Sequence, residues 1–323
     1  MYQPRKKRPD DRTGGKVSSS QGMAKAAKGK WTAYIVASVV VILMLAILGA
    51  GYYHEYVAPF NRIIITVDNT SLDMGYFLKR SRLAGADPMD MLKGLTEEQF
   101  IKLGAPRYGI EVSPEDIDRE LRRVAQGESE SISDSEFKEW YRQQLNEAGL
   151  SGAEFREIVA TSLYATRLHD YLAERVSTVA EQVHLHAIVL QTYEDAEETR
   201  ARWEAGEGFA DLARELSVNE QSGREGGDLG WLPRGILDSG LDTVVFSLAP
   251  GDVSEPLRME EDEYYLFMVS EREAARQIEE DYIQTLKDRA LKDWLLQEAD
   301  LHEVSYDFNS EVYAWLNWQL SKE

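Results

Sequence analysis

Trp31 to Tyr53, WTAYIVASVVVILMLAILGAGYY, runs for 23 residues without a charge between Lys30 and His54. As an α-helix rising about 1.5 Å per residue it is roughly 34 Å long, enough to cross the hydrocarbon layer of a bilayer with modest tilt. It is longer than the apolar region of a cleavable signal, and no small-x-small cleavage pattern follows it, so it reads as a retained anchor. Charge sets its direction. Residues 1–30 carry nine Lys or Arg against Asp10 and Asp11, whereas the other 27 basic residues face 55 acidic ones. Basic flanks stay on the cytoplasmic side. The expected topology is a single pass through the cell membrane, N-terminus cytoplasmic and the acidic remainder extracytoplasmic. A core helix of a soluble protein would not have flanks so one-sided. Residues 1–30, rich in Gly, Ser and Lys, read as a disordered basic tail able to touch anionic lipid.

The acidic remainder repels phosphate backbones and has no basic stripe, which argues against nucleic acid as a partner. With no cysteine in the chain, disulfides, thiol nucleophiles and thiolate metal sites are all excluded. At 43% hydrophobic residues the exported part can bury a substantial core.

RIIITVDNTSLD (62–73) is rich in β-branched residues and ends in turn-formers, which predicts a short strand leading into a helix capped at Thr70 or Ser71. From there to about residue 177 the periodicity is helical. SPEDIDRELRRVA places Ser113 as cap and Pro114 at the first helical position, and Ile117, Leu121 and Val124 return to one face. SDSEFKEWYRQQLNEAG repeats the logic, and a longer helix follows with a stripe of Phe155, Ile158, Val159, Leu163, Leu168 and Leu172. Near residue 181 the texture changes to an apolar strand, two short helices, a glycine-rich loop, another helix and a final strand, an α+β unit of about 90 residues. Helical periodicity returns over 274–300. HEVSYDF then reads as a strand able to pair with IIITVD, and SEVYAWLNWQLSKE as a closing helix whose Tyr313, Trp315 and Trp318 are packing residues. The fold class is α+β. The expected organisation is a tail over 1–30, a transmembrane helix over 31–53, a helical module over 56–179, the α+β unit over 181–272, and a C-terminal helical segment over 274–323 packing back on the helical module.

Within that unit, read without a gap from residue 183 to 271, come VHLHAIVL, EDAEETRARWEAGEGFADLARELSVN, SGREGGDLGWLPRG, LDTVVFSLAPGDVSEPLRM and EYYLFMVSE. In this order they resemble the parvulin (PpiC, rotamase) type of peptidyl-prolyl cis–trans isomerase. The wider plan, a helical segment before it and a helix after it behind a membrane anchor, is similar to the SurA and PrsA foldases. Read from the residues alone, Phe209, Leu212 and Leu216, and likewise Leu241, Val244, Val245 and Leu248, recur at helical spacing as core. Gly226, Gly227 and Gly230 bracket Asp228, whose carboxylate is placed to cap neighbouring amides.

The resemblance implies a membrane-anchored extracytoplasmic foldase that isomerises X–Pro bonds in exported polypeptides and needs no cofactor. Its ring-holding positions fall on Leu229, Leu237 and Leu241. Its polar positions, two histidines and an acid or thiol in the family, fall on Ala187, Tyr265 and Asn219. None of the three keeps the family's residue type, which leaves open a chaperone of the same architecture without isomerase activity, or a scaffold subunit of a membrane complex. His184 and His186 alternate with Leu185 and Ala187, so neither histidine can take the place of the missing one without a register slip that turns the apolar set outward. A metal role for the pair needs a further ligand, and His54, His169 and His302 are remote in sequence, so the two read as ordinary half-exposed strand residues with no metal.

Overall fold

The computed structural model describes residues 20–129, 131–260 and 263–322. Helix α1 (Ser20–Tyr56) begins well before Trp31 and takes in the Ala- and Lys-rich segment expected to be disordered tail, because both residue types are good helix formers. Residues 1–19 of that tail lie outside the described residues. Ser38–Tyr56 forms a 19-residue stretch long and apolar enough to cross a membrane, none of it buried. The chain divides into two compact units. One holds Leu72–Phe77 and the residues up to Ile64, the other Ile65–Ser71 and everything from Leu78 onward.

In place of one strand leading into a helix, residues 63–73 form two strands, β1 (Ile63–Val67) and β2 (Thr70–Asp73). Asp68 turns the chain with φ 51°, a conformation that Asp tolerates better than most side chains. Thr70 and Ser71 are therefore strand residues and do not cap the helix. Asp73 takes that position, its Oδ1 accepting the Tyr76 N–H at 2.8 Å near the start of α2 (Met74–Ala84).

Helix α3 (Pro88–Gly104) starts on Asp87. The next three, α4 (Pro114–Gln126), α5 (Asp134–Ala148) and α6 (Gly152–Ala173), start on Ser113, Ser133 and Ser151, each closing a capping box with Asp116, Glu136 or Glu154. Each such cap is worth about 1 kcal/mol, so these helix starts are set locally.

The second sheet follows with β3 (Val179–Leu190), and three helices come before its next strand: α7 (Tyr193–Glu204), α8 (Phe209–Leu216) and the short α9 (Glu220–Arg224). Then come β4 (Asp228–Pro233), α10 (Ser239–Ser247), β5 (Leu257–Glu260) and β6 (Glu263–Gln277). The order is β4-β3-β6-β5, antiparallel throughout. The glycine-rich loop of the sequence reading, residues 222–235, thus contains the end of α9 and the whole of β4. Strand β3 alternates as its pattern predicts. Val183, Leu185 and Ala187 belong to a core shared with Leu232, Val245, Phe246 and Phe267, and Ile188 and Leu190 to another with Phe209 and Leu212. Helix α10 covers one face of the sheet and α7 and α8 the other.

Helix α11 (Glu280–Ala299) packs on α3 and α6, where Trp294 joins Ile101, Ala105, Ile110 and Leu168. Strand β7 (Val304–Tyr306) pairs antiparallel with β1, Val67 opposite Val304 and Ile65 opposite Tyr306, as the two β-rich runs predict. In the last helix, α12 (Ser310–Leu320), the packing residues differ from those expected. Val312 and Leu316, four apart, are buried, while Trp318 lies on the other side, 55% exposed with the Lys322 ammonium 3.2 Å over its ring.

Candidate functional site

The positions singled out in the sequence are not all brought together. Ala187 is buried in the middle of β3, opposite Phe267 of β6. Leu237, Leu241 and Tyr265 pack, half-buried, against the core cluster to which Ala187 belongs. Leu229 stands apart as an extra residue in β4, between Asp228 opposite His186 and Gly230 opposite Leu185, and is 39% exposed. Asn219 is exposed and caps α9, its Oδ1 accepting the Ser222 N–H at 3.1 Å. The Val218 N–H, donated to Val189 O at 2.8 Å, ties this segment to the end of β3. The Tyr265 hydroxyl donates to Glu263 Oε2 at 2.9 Å and its ring stacks on Phe267, centroids 5.7 Å apart.

The loop carrying Leu237 is held from three sides. Arg289 of α11 donates to Ile236 O at 2.7 Å, Asp242 accepts the Gly235 N–H at 2.7 Å, and Arg234 pairs with Glu181 at 2.6 Å while lying over the Phe246 ring. These tethers fix Leu237 just before α10, and the aliphatic side chains of Leu237 and Leu241, like the ring of Tyr265, stay half-buried against the core.

Behind the sheet a polar group occupies the face of β3 that carries the histidines. His184 Nε2 lies 2.9 Å from Asp228 Oδ1, and the imidazole stacks on Trp231 with centroids 5.4 Å apart. His186 Nε2 lies 3.0 Å from Ser270 Oγ, whose hydroxyl donates to His184 O. Nδ1 of His186 is buried beside the Gly226 backbone without a hydrogen bond of normal geometry. Burial pushes the His186 pKa down and outweighs the nearby Asp228 charge, which favours the neutral imidazole. For Asp228, burial pushes the pKa up, but the Gly230 N–H and the two histidines outweigh it and hold the carboxyl below its ordinary value.

Asp228 caps the Gly230 amide at 2.8 Å as expected. It is also the third ligand-type group that the histidine pair lacked in the sequence reading, since one atom from each of His184, His186 and Asp228 lies within 4.8 Å of the others. The omission has a simple cause: Asp228 is 42 residues beyond His186 and becomes its neighbour only through the β3–β4 register. The usable signal was a His-x-His on a strand together with an acid at the start of a strand expected beside it.

Residues 189–271 match the profile of the PPIC-type PPIASE domain, Rotamase. Among curated proteins the chain is similar to the foldase protein PrsA of Oceanobacillus iheyensis, 23% identical over 225 residues that cover 67% of this chain and 72% of the relative. It is 27% identical to the PrsA of Geobacillus kaustophilus over 200 residues, 59% of this chain and 64% of that one. The chaperone SurA of Pseudomonas aeruginosa is 25% identical over 259 residues, 67% of this chain and 60% of that one. The chain thus spans about two thirds of the length of these curated relatives. Among solved structures, PrsA from Bacillus cereus aligns over 81% of this chain and all of its own at 15% identity, TM-score 0.39. The parvulin NmPin of Nitrosopumilus maritimus aligns over 28% of this chain and 96% of its own at 27% identity, TM-score 0.26.

Proposed function

From a chain that carries a PPIC-type peptidyl-prolyl isomerase domain, we propose a membrane-anchored extracytoplasmic foldase that isomerises X–Pro bonds in exported polypeptides. The half-buried packing of Leu237, Leu241 and Tyr265 against the core that holds Ala187 is the observation that carries this reading. Rotation about X–Pro is opposed by a barrier of about 20 kcal/mol that comes from amide resonance. No covalent step is required. A site accelerates the rotation by holding the ring and favouring the twisted amide, which has lost resonance, over the planar one. Half-buried Leu237, on a loop fixed by Arg289 and Asp242, and Leu241, in the first turn of α10, support that role, whereas Leu229 on the β4 bulge stands apart from them. Helix α1, with a basic flank before it and an acidic chain after it, supports the anchor and its orientation. The helical module over 56–179 and the segment over 274–323, joined by the packing of α11 on α3 and α6, form the cradle for unfolded clients.

A second reading, a chaperone of the same architecture without isomerase activity, is favoured by the state of the polar positions. Ala187 has no polar group, Tyr265 is engaged with Glu263, and Asn219 is engaged as a helix cap. A protease-coupled isomerisation assay on the full chain in detergent micelles separates the two readings. The isomerase reading expects turnover above the uncatalysed rate and a loss of about tenfold or more in kcat/KM for Leu241→Ala, with circular dichroism unchanged. Turnover equal to the uncatalysed rate selects the chaperone.

A further inference from the structure

We infer that His184, His186 and Asp228 form a binding site for a borderline divalent transition ion, of which Zn2+ is the representative. The site depends on the sheet register alone and stands whether or not the domain isomerises proline.

The two histidines occupy positions i and i+2 of β3 and therefore project from the same face of the strand. Their rings lie 5.1 Å apart. Asp228 enters from the adjacent strand, opposite His186 in the ladder. One atom from each of the three residues lies within 4.8 Å of the others, and His184 Nε2 and Asp228 Oδ1 are already 2.9 Å apart. Two ligands at about 2.0–2.2 Å from a tetrahedral ion stand roughly 3.3 Å apart. The His184–Asp228 gap therefore opens by a few tenths of an ångström, and the His186 ring closes in by a movement on the order of 1 Å.

The donor set selects the ion. Two imidazoles and a carboxylate suit Zn2+ and its neighbours in the first transition row, whereas Mg2+ and Ca2+ prefer oxygen alone. Three protein ligands at a half-exposed position leave room for water as a fourth. The surroundings fit a resident ion. His184 is fixed between its carboxylate partner and the Trp231 ring, and His186 has a buried ring nitrogen that no hydrogen bond of normal geometry satisfies. The ion would pin the first residue of β4 to the middle of β3, directly after the Gly226–Gly227 turn and directly before Leu229.

The test is titration of ZnCl2 into the full chain, dialysed against EDTA and held in detergent micelles, followed by calorimetry and by the visible absorption of Co2+ in its place. One equivalent should saturate at micromolar concentration and raise the melting temperature. His186→Gln and Asp228→Asn should each weaken it by about tenfold or more. His169→Gln, a histidine on α6 outside the cluster, should leave it unchanged. Absence of a saturable site, or a saturable site that survives both cluster substitutions, overturns the inference, because the acidic surface then accounts for all binding. Should both variants unfold, Co2+ on the unsubstituted protein decides: strongly shifted ring protons of both His184 and His186 support the site, and undisturbed rings overturn it.

Discussion

Gly227→Ala is expected to lower the melting temperature of the part of the chain after α1 by roughly 5–15 °C and to reduce isomerase turnover with it. Gly227 sits at φ +80°, where an L side chain costs about 1–2 kcal/mol. A Cβ there would also lie 2.5 Å from the carbonyl oxygen of Ala187, which is backbone and cannot swing aside. Forcing β3 away from the loop adds about 1–3 kcal/mol of overpacking. It also strains the Ala187 N–H bond to Gly227 O at 2.8 Å and the Gly227 N–H bond to Ser222 O at 2.7 Å. Gly230→Ala separates the two causes. It has a similar φ of +75° but open space around its Cβ, so only the conformational cost applies. Thermal melts of the two variants should differ clearly, with Gly227→Ala the lower. Equal melts would show that the approach of the loop to Ala187 is not what requires glycine.

The second large effect is expected at the other end of the chain, where Glu298→Ala should destabilise by about 1–3 kcal/mol. Glu298 is only 3% exposed, yet it pairs with Arg107 and accepts from His302 Nε2 at 2.9 Å. His302 in turn reaches Asp68 Oδ2 through Nδ1 at 2.7 Å and stacks on Phe100. Removing the carboxylate leaves the half-buried imidazole with Asp68 alone and takes from the half-exposed Arg107 guanidinium its carboxylate partner. The same network sets a pH dependence. Burial pushes the His302 pKa down, but the hydrogen bonds and charges of Asp68 and Glu298 outweigh it and hold the ring above its ordinary value. A group whose pKa is raised on folding contributes its full stability below the unfolded value, near 6.5, and loses it as pH rises through the folded value. The melting temperature should therefore fall as pH is raised from 6 through the elevated folded pKa, and His302→Gln should flatten that slope. A slope of the same size in His302→Gln would place the titration elsewhere.

These predictions also mark where the sequence was legible and where it was not. Ser113 and Ser133 were readable as caps because capping is a local matter of a side chain and an amide two or three residues on. The burial of Val183, Leu185 and Ala187 followed from strand alternation, and the β1–β7 pairing from two short β-rich runs. Glu298 was not legible, since a carboxylate in an amphipathic helix normally faces water; its one clue was its place one turn after Trp294, on the buried side. Asp73 displaced Thr70 and Ser71 as the cap of α2 because the turn at Asp68 leads into a second strand, β2, before the helix begins. Leu229 was expected beside Leu237 and Leu241, but the bulge in β4 separates it from their cluster, and bulges leave no periodic trace in a sequence. Asp228 was read only as a cap for the same reason that its histidine partners were read as surface: strand neighbours are set by register, not by spacing.

In the proposed function, the half-buried groups at Leu237, Leu241 and Tyr265 receive the proline ring of a client chain. The most direct measurement is NMR on the full chain in micelles, with Leu and Val methyls labelled, in the presence of a short X–Pro peptide. The account predicts that the Leu237 and Leu241 methyls shift on titration while exchange cross-peaks between the cis and trans peptide grow above the uncatalysed level. Unmoved methyls at both positions, with cis–trans exchange no faster than in buffer, would contradict it.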